Sequence, residues 1–147
     1  MKHHAFYATW LLLLGLLTVG CQSHHRHSLP GNPGLQVEQL EPGVWMHTSY
    51  NTFNGVVYPS NGLIVREDDH LVLLDSAWGA EATEALLVWI DKEIGLPVDR
   101  ALSTHFHSDR TGGAAVLEAA GIPVWSHPMP QRLSAEEGNP VPPNALS

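Results

Sequence analysis

The sequence predicts an α/β (α+β) fold, a mixed sheet with its helices packed on one face. Two observations predict it. Short strand-like runs and a hairpin pattern come first, and strand-helix alternation follows. The 147 residues, 44% hydrophobic and 15% charged, suffice for one domain with one core.

The elements follow in order. Met1-Lys2-His3-His4 is a short basic start, and Ala5 to Val19 is almost wholly apolar. That run is too short and wrongly flanked for a transmembrane helix, so residues 1–21 read as a secretory signal. Cys21, the only cysteine, follows Leu17-Thr18-Val19-Gly20. This resembles a bacterial lipoprotein cleavage site, although Thr18 stands where an aliphatic residue is usual. Two outcomes are open: a lipid anchor through Cys21 on the outer membrane, or plain cleavage. Both place the chain in the periplasm. Residues 22–34 are polar and Gly/Pro-rich, and read as a flexible tether. Its His24-His25-Arg26-His27 tract is either a solvated linker or a metal scavenger.

The domain is expected over 35–147. Leu35 to Leu40 alternates as a strand does, Glu41-Pro42-Gly43 is a turn, and Val44 to Tyr50 is a second strand. Thr48 to Ser60 reads as a long loop with an unusual apolar load: Tyr50, Phe53, Val56, Val57 and Tyr58. Such clusters either mark a binding surface or pack on the sheet. Gly62 to Arg66 and Leu71 to Asp75 form a hairpin around Glu67-Asp68-Asp69-His70. Ala80 to Ile94 carries a helical stripe, ended by Gly95 and Pro97. Val98 to Thr104 is a strand, Gly113 to Ala120 a helix, Ile122 to Ser126 a strand, and Pro130 to Glu137 a helical turn before the loop Val141-Pro142-Pro143.

Net charge is −8, and all fifteen acids lie after residue 21, so discounting Lys2 of the leader takes the balance to −9. A phosphate backbone repels such a chain, which argues against nucleic acid as a partner. The acidic runs Glu67-Asp68-Asp69 and Glu136-Glu137 read as solvated turns.

The chemistry concentrates in Ser103-Thr104-His105-Phe106-His107-Ser108-Asp109-Arg110-Thr111-Gly112-Gly113. His105, His107 and Asp109 lie two positions apart, and in extended backbone i, i+2 and i+4 share a face. Two imidazoles and a carboxylate suit zinc. The following Gly pair lets a helix start close to the ligands without Cβ crowding. Asp75 ends an apolar strand, where an unpaired carboxylate is costly to bury. Either it accepts a hydrogen bond that orients the ligand loop, or it begins the turn Asp75-Ser76-Ala77. His47, His70 and His127 read as surface or capping residues ahead of ligands, with His127, before Pro128 at a strand end, placed where it could approach the site.

Several separated segments resemble the metallo-β-lactamases (class B) in order and spacing. They are Val44-Trp45-Met46-His47-Thr48-Ser49-Tyr50, Pro59-Ser60-Asn61-Gly62-Leu63-Ile64, Leu74-Asp75-Ser76-Ala77-Trp78-Gly79, Gly95-Leu96-Pro97-Val98 and Ser103 through Gly113. The similarity covers about residues 36 to 140. Arg110 stands where much of the wider superfamily has a ligating His, and a guanidinium cannot ligate. His-x-His-x-Asp-Arg thus resembles the di-zinc subclass, whereas the mono-zinc subclass has Asn in place of His105.

The resemblance implies an αββα sandwich and hydrolysis of the β-lactam ring of penicillins, cephalosporins and carbapenems. It implies two zincs per complete enzyme, the first on His105 and His107 and the second on Asp109. Asp109 would also act catalytically by orienting the attacking water. Arg110 and Asp75 would support the ligands, and Phe53, Val56, Val57, Tyr58 and Trp78 would line the substrate groove. The family also has a third His, a Cys and a further His as ligands. No Cys follows Cys21 here, and the only His after His107 is His127. The expectation is therefore an N-terminal half, incomplete at the C-terminus and inactive in isolation, from an enzyme monomeric when complete. The rival readings are another metallo-hydrolase of the superfamily and a non-catalytic periplasmic zinc-binding lipoprotein.

Overall fold

The computed structural model describes residues 26–29 and 32–147. The segment expected to be a signal, with Cys21, lies outside them. Among the described residues, eight strands form one sheet in sequential order: β1 (Arg26–Leu29), β2 (Asn32–Glu41), β3 (Val44–Phe53), β4 (Val56–Glu67), β5 (His70–Leu74), β6 (Val98–Ser103), β7 (Val124–Ser126) and β8 (Asn144–Ala145). From β1 to β5 the neighbours are antiparallel. From β5 to β8 they are parallel. Parallel neighbours need crossovers, and helices supply them: α1 (Ala80–Glu93), α2 (Ser108–Thr111) with α3 (Ala114–Ala119), and α4 (Pro128–Glu137).

Helix α1 forms because Thr83, Leu86, Trp89 and Ile90 make one buried stripe. It stops at Gly95, whose φ of 69° takes the left-handed conformation that glycine adopts freely. Leu86, Trp89 and Ile90 close with Leu117 of α3 onto Leu35, Val37, Ile64, Leu73, Ala101 and Val124 of the sheet. Leu86 and Leu117 are fully buried, and each contributes about 2 kcal/mol by leaving water.

The other sheet face is also apolar. Met46, Leu63, Leu74, Leu102 and Trp125 lie in register as one row across five strands. Val44, Val65 and Val72 form a second row. Apart from Val72, these side chains remain partly exposed. Residues facing both ways are therefore apolar, the pattern of a sheet with a layer on each face.

Three expectations need correction. The long loop over Thr48 to Ser60 is instead the end of a continuous hairpin, with β3 and β4 paired from Val44↔Val65 out to Phe53↔Val56. Its tip is Asn54-Gly55, with φ of 51° and 77°, a two-residue turn whose twist matches the strands. The segment Pro130 to Glu137 is not a single turn but the ten-residue helix α4. The tether of residues 22–34 overlaps β1 and the start of β2, whose backbones pair in register. Main-chain pairing needs no apolar side chains, so composition alone did not reveal it. Residues 22–25, 30 and 31 lie outside the described residues.

Candidate metal centre

Strand β6 ends at Ser103, and the chain then carries Thr104 to His107 without regular structure before α2 begins. His107 has φ −74° and ψ 155° and stands as the N-cap of α2, while Asp109 lies in the first helical turn. The three ligand candidates are therefore not on one extended segment. They converge because the backbone turns from extended to helical between His107 and Ser108. One ligand atom from each of His105, His107 and Asp109 lies within 4.8 Å of the others. His105 Nε2 and Asp109 Oδ1 are 3.7 Å apart, and the two imidazoles meet edge-on with centroids 5.0 Å apart. Two nitrogens and a carboxylate oxygen converging this closely fit a divalent metal that accepts both donor types.

Buried hydroxyls and a carboxylate hold this segment from behind. Asp75, with φ of 67°, turns its carboxylate toward the loop. Its Oδ1 accepts the Thr104 N–H at 2.7 Å, and the Thr104 hydroxyl reaches Oδ2 at 2.8 Å. Asp75 thus accepts hydrogen bonds from the start of the segment that carries the three candidate ligands. Burial pushes its carboxyl above the usual range, against the Thr104 hydrogen bonds and the Arg110 charge. The Ser60 hydroxyl donates to the Asp109 carbonyl at 3.0 Å. The Ser76 hydroxyl donates to the Arg110 carbonyl at 2.9 Å, and the Gly113 N–H donates to Ser76 Oγ at 3.0 Å.

Arg110 points inward. Its Nη1 donates to Ser60 Oγ at 3.1 Å and to the Asn61 carbonyl. Its Nε is 3.4 Å from Asp109 Oδ2 and 3.7 Å from Asp75 Oδ2, yet this buried N–H makes no hydrogen bond. The guanidinium therefore compensates two carboxylates by charge. Asp109 is split as a result, with Oδ2 turned toward Arg110 and Ser60 and Oδ1 toward His105.

His47, expected at the surface or in a cap, is fully buried. It occupies the space above Gly62, where a Cβ would collide with its ring. Its Nε2 lies 3.3 Å from the Asp75 carbonyl, which can only accept, so Nε2 carries the proton and Nδ1 is left without a partner. Burial lowers its pKa to about 4. The crowding that requires Gly at 113 is likewise internal, because a Cβ there would strike Thr83 and Ser76. His70 interacts with Glu67 and Asp69 at its hairpin. His127 caps α4 by accepting the Met129 N–H on Nδ1 at 3.2 Å.

The structure does not bring every expected site residue together. Phe53, Val56, Val57 and Tyr58 stay exposed on the β3–β4 arm, and Trp78 sits half-buried between β5 and α1, its backbone N–H donating to Ser49 Oγ at 2.8 Å. Ser60, at the base of the arm, is what joins β4 to the ligand segment. Sequence reasoning assigned no site role to Ser60, Ser76 or Thr104, and it read His47 as a surface or capping residue. Serines carry no spacing signal, and the one available clue was that all four residues lie inside segments that resemble the family.

Residues 55–140, more than half of the chain, match the family model described as the metallo-beta-lactamase superfamily. The chain belongs to this superfamily. It is 36% identical over 104 residues to a metallo-beta-lactamase type 2 from Bacillus sp. (strain 170), covering 71% of this chain and 40% of that protein. A metallo-beta-lactamase type 2 from Elizabethkingia meningoseptica is 30% identical over 131 residues, covering 89% and 51%. Among solved structures, a metallo-beta-lactamase from Erythrobacter litoralis, with beta-mercaptoethanol in its active site, matches with TM-score 0.75 and 39% identity over 81% of this chain and 53% of that one. A metallo-beta-lactamase from Pseudomonas aeruginosa in a mono-zinc form matches with TM-score 0.74 and 32% identity, covering 80% and 53%. The chain thus spans about half the length of the relatives it matches. Its sheet and helices are one half of the superfamily's αββα sandwich, and the partly exposed apolar rows lie on the face away from the helices.

Proposed function

We propose that these residues form one side of the active site of an exported zinc-dependent β-lactam hydrolase of the di-zinc subclass. His105 and His107 hold one zinc and Asp109 the other. When bound, zinc supplies a Lewis acid and lowers the pKa of water to near neutrality. The chain's own residues do the rest. Arg110 and Ser60 take up Asp109 Oδ2, which leaves Oδ1 on the open side to orient water. Arg110 cannot itself ligate, which separates this site from superfamily members with a His at that position. The β3–β4 arm offers Phe53, Val56, Val57 and Tyr58 as an apolar surface to the substrate, with Trp78 lining the groove. The convergence of His105, His107 and Asp109 within 4.8 Å carries the reading, supported by relatives that are named as β-lactamases.

A complete site of this kind needs donors that these 147 residues do not supply. Purified residues 22–147 should therefore bind zinc weakly and leave a chromogenic cephalosporin intact, and His105→Ala should abolish the zinc binding. A version that also carries a third His, a Cys and a further His in a second half should open penicillins with zinc and stop on chelation. Intact penicillin in the presence of zinc would reject the proposal, as would turnover by residues 22–147 alone.

A further inference from the structure

A ten-residue helix ordinarily buries an apolar stripe. Helix α4 instead buries one side chain, and that side chain is a hydroxyl: Ser134 is fully inaccessible. Its Oγ donates to the Phe106 carbonyl at 3.2 Å. Phe106 is the residue between the two imidazoles. Its ring tilts against His107 with centroids 4.2 Å apart and meets His105 edge-on at 6.2 Å. The other anchors act on either side of this pair. Asp75 holds Thr104, Ser60 holds Asp109, and the His107 carbonyl accepts from Arg110 and Thr111 within its own turn.

Helix α4 is fixed independently of the ligand loop. Gln131 Nε2 donates to the carbonyls of Pro142 at 2.8 Å and Asn144 at 2.9 Å. Asn144 Nδ2 donates to the Val124 carbonyl at 3.0 Å, and β8 pairs with β7. At its end Gly138 takes the left-handed conformation, and the Asn139 N–H donates to the Ser134 carbonyl at 2.8 Å. The hydroxyl of Ser134 is therefore presented from a braced support.

We propose that Ser134 is a positioning residue for the His105–His107 pair. Held by α4, its hydroxyl fixes the Phe106 carbonyl and so sets the orientation of the peptide unit between the two imidazoles. This rests on His105 and His107 being metal ligands, as proposed above. Groups that orient ligands typically change metal affinity by 10–100-fold when removed, and an effect relayed through a backbone carbonyl belongs at the lower end of that range.

The test uses the full chain with Co(II) and Zn(II) as probes, read by the visible spectrum of bound Co(II) and by competition with a chromophoric chelator. Ser134→Thr and Ser134→Val have nearly equal bulk, and only Thr keeps the hydroxyl. Ser134→Val should bind both ions about tenfold more weakly than Ser134→Thr, with an altered Co(II) spectrum. Equal affinities and spectra in the two variants would overturn the proposal, even if both are weaker than wild type, because bulk alone would then account for the loss. His105→Ala, measured alongside, separates the two ideas: undiminished binding in that variant defeats the ligand assignment itself.

Discussion

Two segments linked through Ser60 are built on opposite principles. The β3–β4 arm, from Tyr50 to Pro59, is held by main-chain pairing and a two-residue Asn-Gly turn, and it leaves Phe53 66% and Val57 60% exposed. The ligand segment from Thr104 to Arg110 has almost no main-chain pairing to neighbouring strands, yet Asp75, Ser60, Ser76 and Ser134 each grip it through a side chain. A paired ribbon can flex as a unit while its exposed side chains adapt to a ligand. Convergent metal donors need a fixed backbone, and buried side-chain hydrogen bonds from several elements provide it. The arm leaves its apolar side chains exposed, and the segment of His105, His107 and Asp109 is held from several sides.

The sharpest way to break this contrast is to disturb the support under the ligand segment. Gly62→Ala puts a Cβ into the His47 ring and the Leu74 carbonyl. It should cost about 3 kcal/mol or more, as overpacking against a rigid neighbour does, read as a lowered urea midpoint. Asp75→Ala removes the acceptor of the Thr104 N–H and hydroxyl and one of the two carboxylates near Arg110. It should cost about 2–3 kcal/mol in the same measurement and should also weaken zinc binding.

Acid probes the same support. The folded pKa of His47, about 4, lies below its ordinary value of 6.5, so the unfolded chain takes up the proton first. The stability from burying neutral His47 is complete above pH 6.5 and is lost as pH falls toward 4, to the extent of about 3 kcal/mol. Asp75 works the other way. Its raised pKa contributes below the ordinary carboxylate value and is lost as pH rises. Urea midpoints followed from pH 7 to pH 4 should therefore fall in the wild type and fall less in His47→Gln, which keeps a donor for the Asp75 carbonyl. Equal slopes would refute the assignment. The smallest effect belongs to the arm. Phe53→Ser and Val57→Ser should change stability by no more than about 0.5 kcal/mol, and a larger loss would mean that the arm is packed rather than free.

Much was legible in the sequence because period, turn chemistry and ligand type are local properties. The stripe of α1, the strands flanking Glu67 to His70, and the cluster of His105, His107 and Asp109 needed only spacing and residue type. The Asn54-Gly55 turn was equally local, but the apolar load around it drew the reading toward a loop.

What tertiary structure alone decided is the convergence. The three candidate ligands meet through a strand-to-helix turn rather than along an extended face. A buried His47 fills the space that Gly62 leaves, and a lone serine on α4 reaches the loop 28 positions away. The physical reason is that a hydrogen bond between a small hydroxyl and a distant carbonyl leaves no periodic trace in the chain. Only the packing of sheet and helices brings the two within reach.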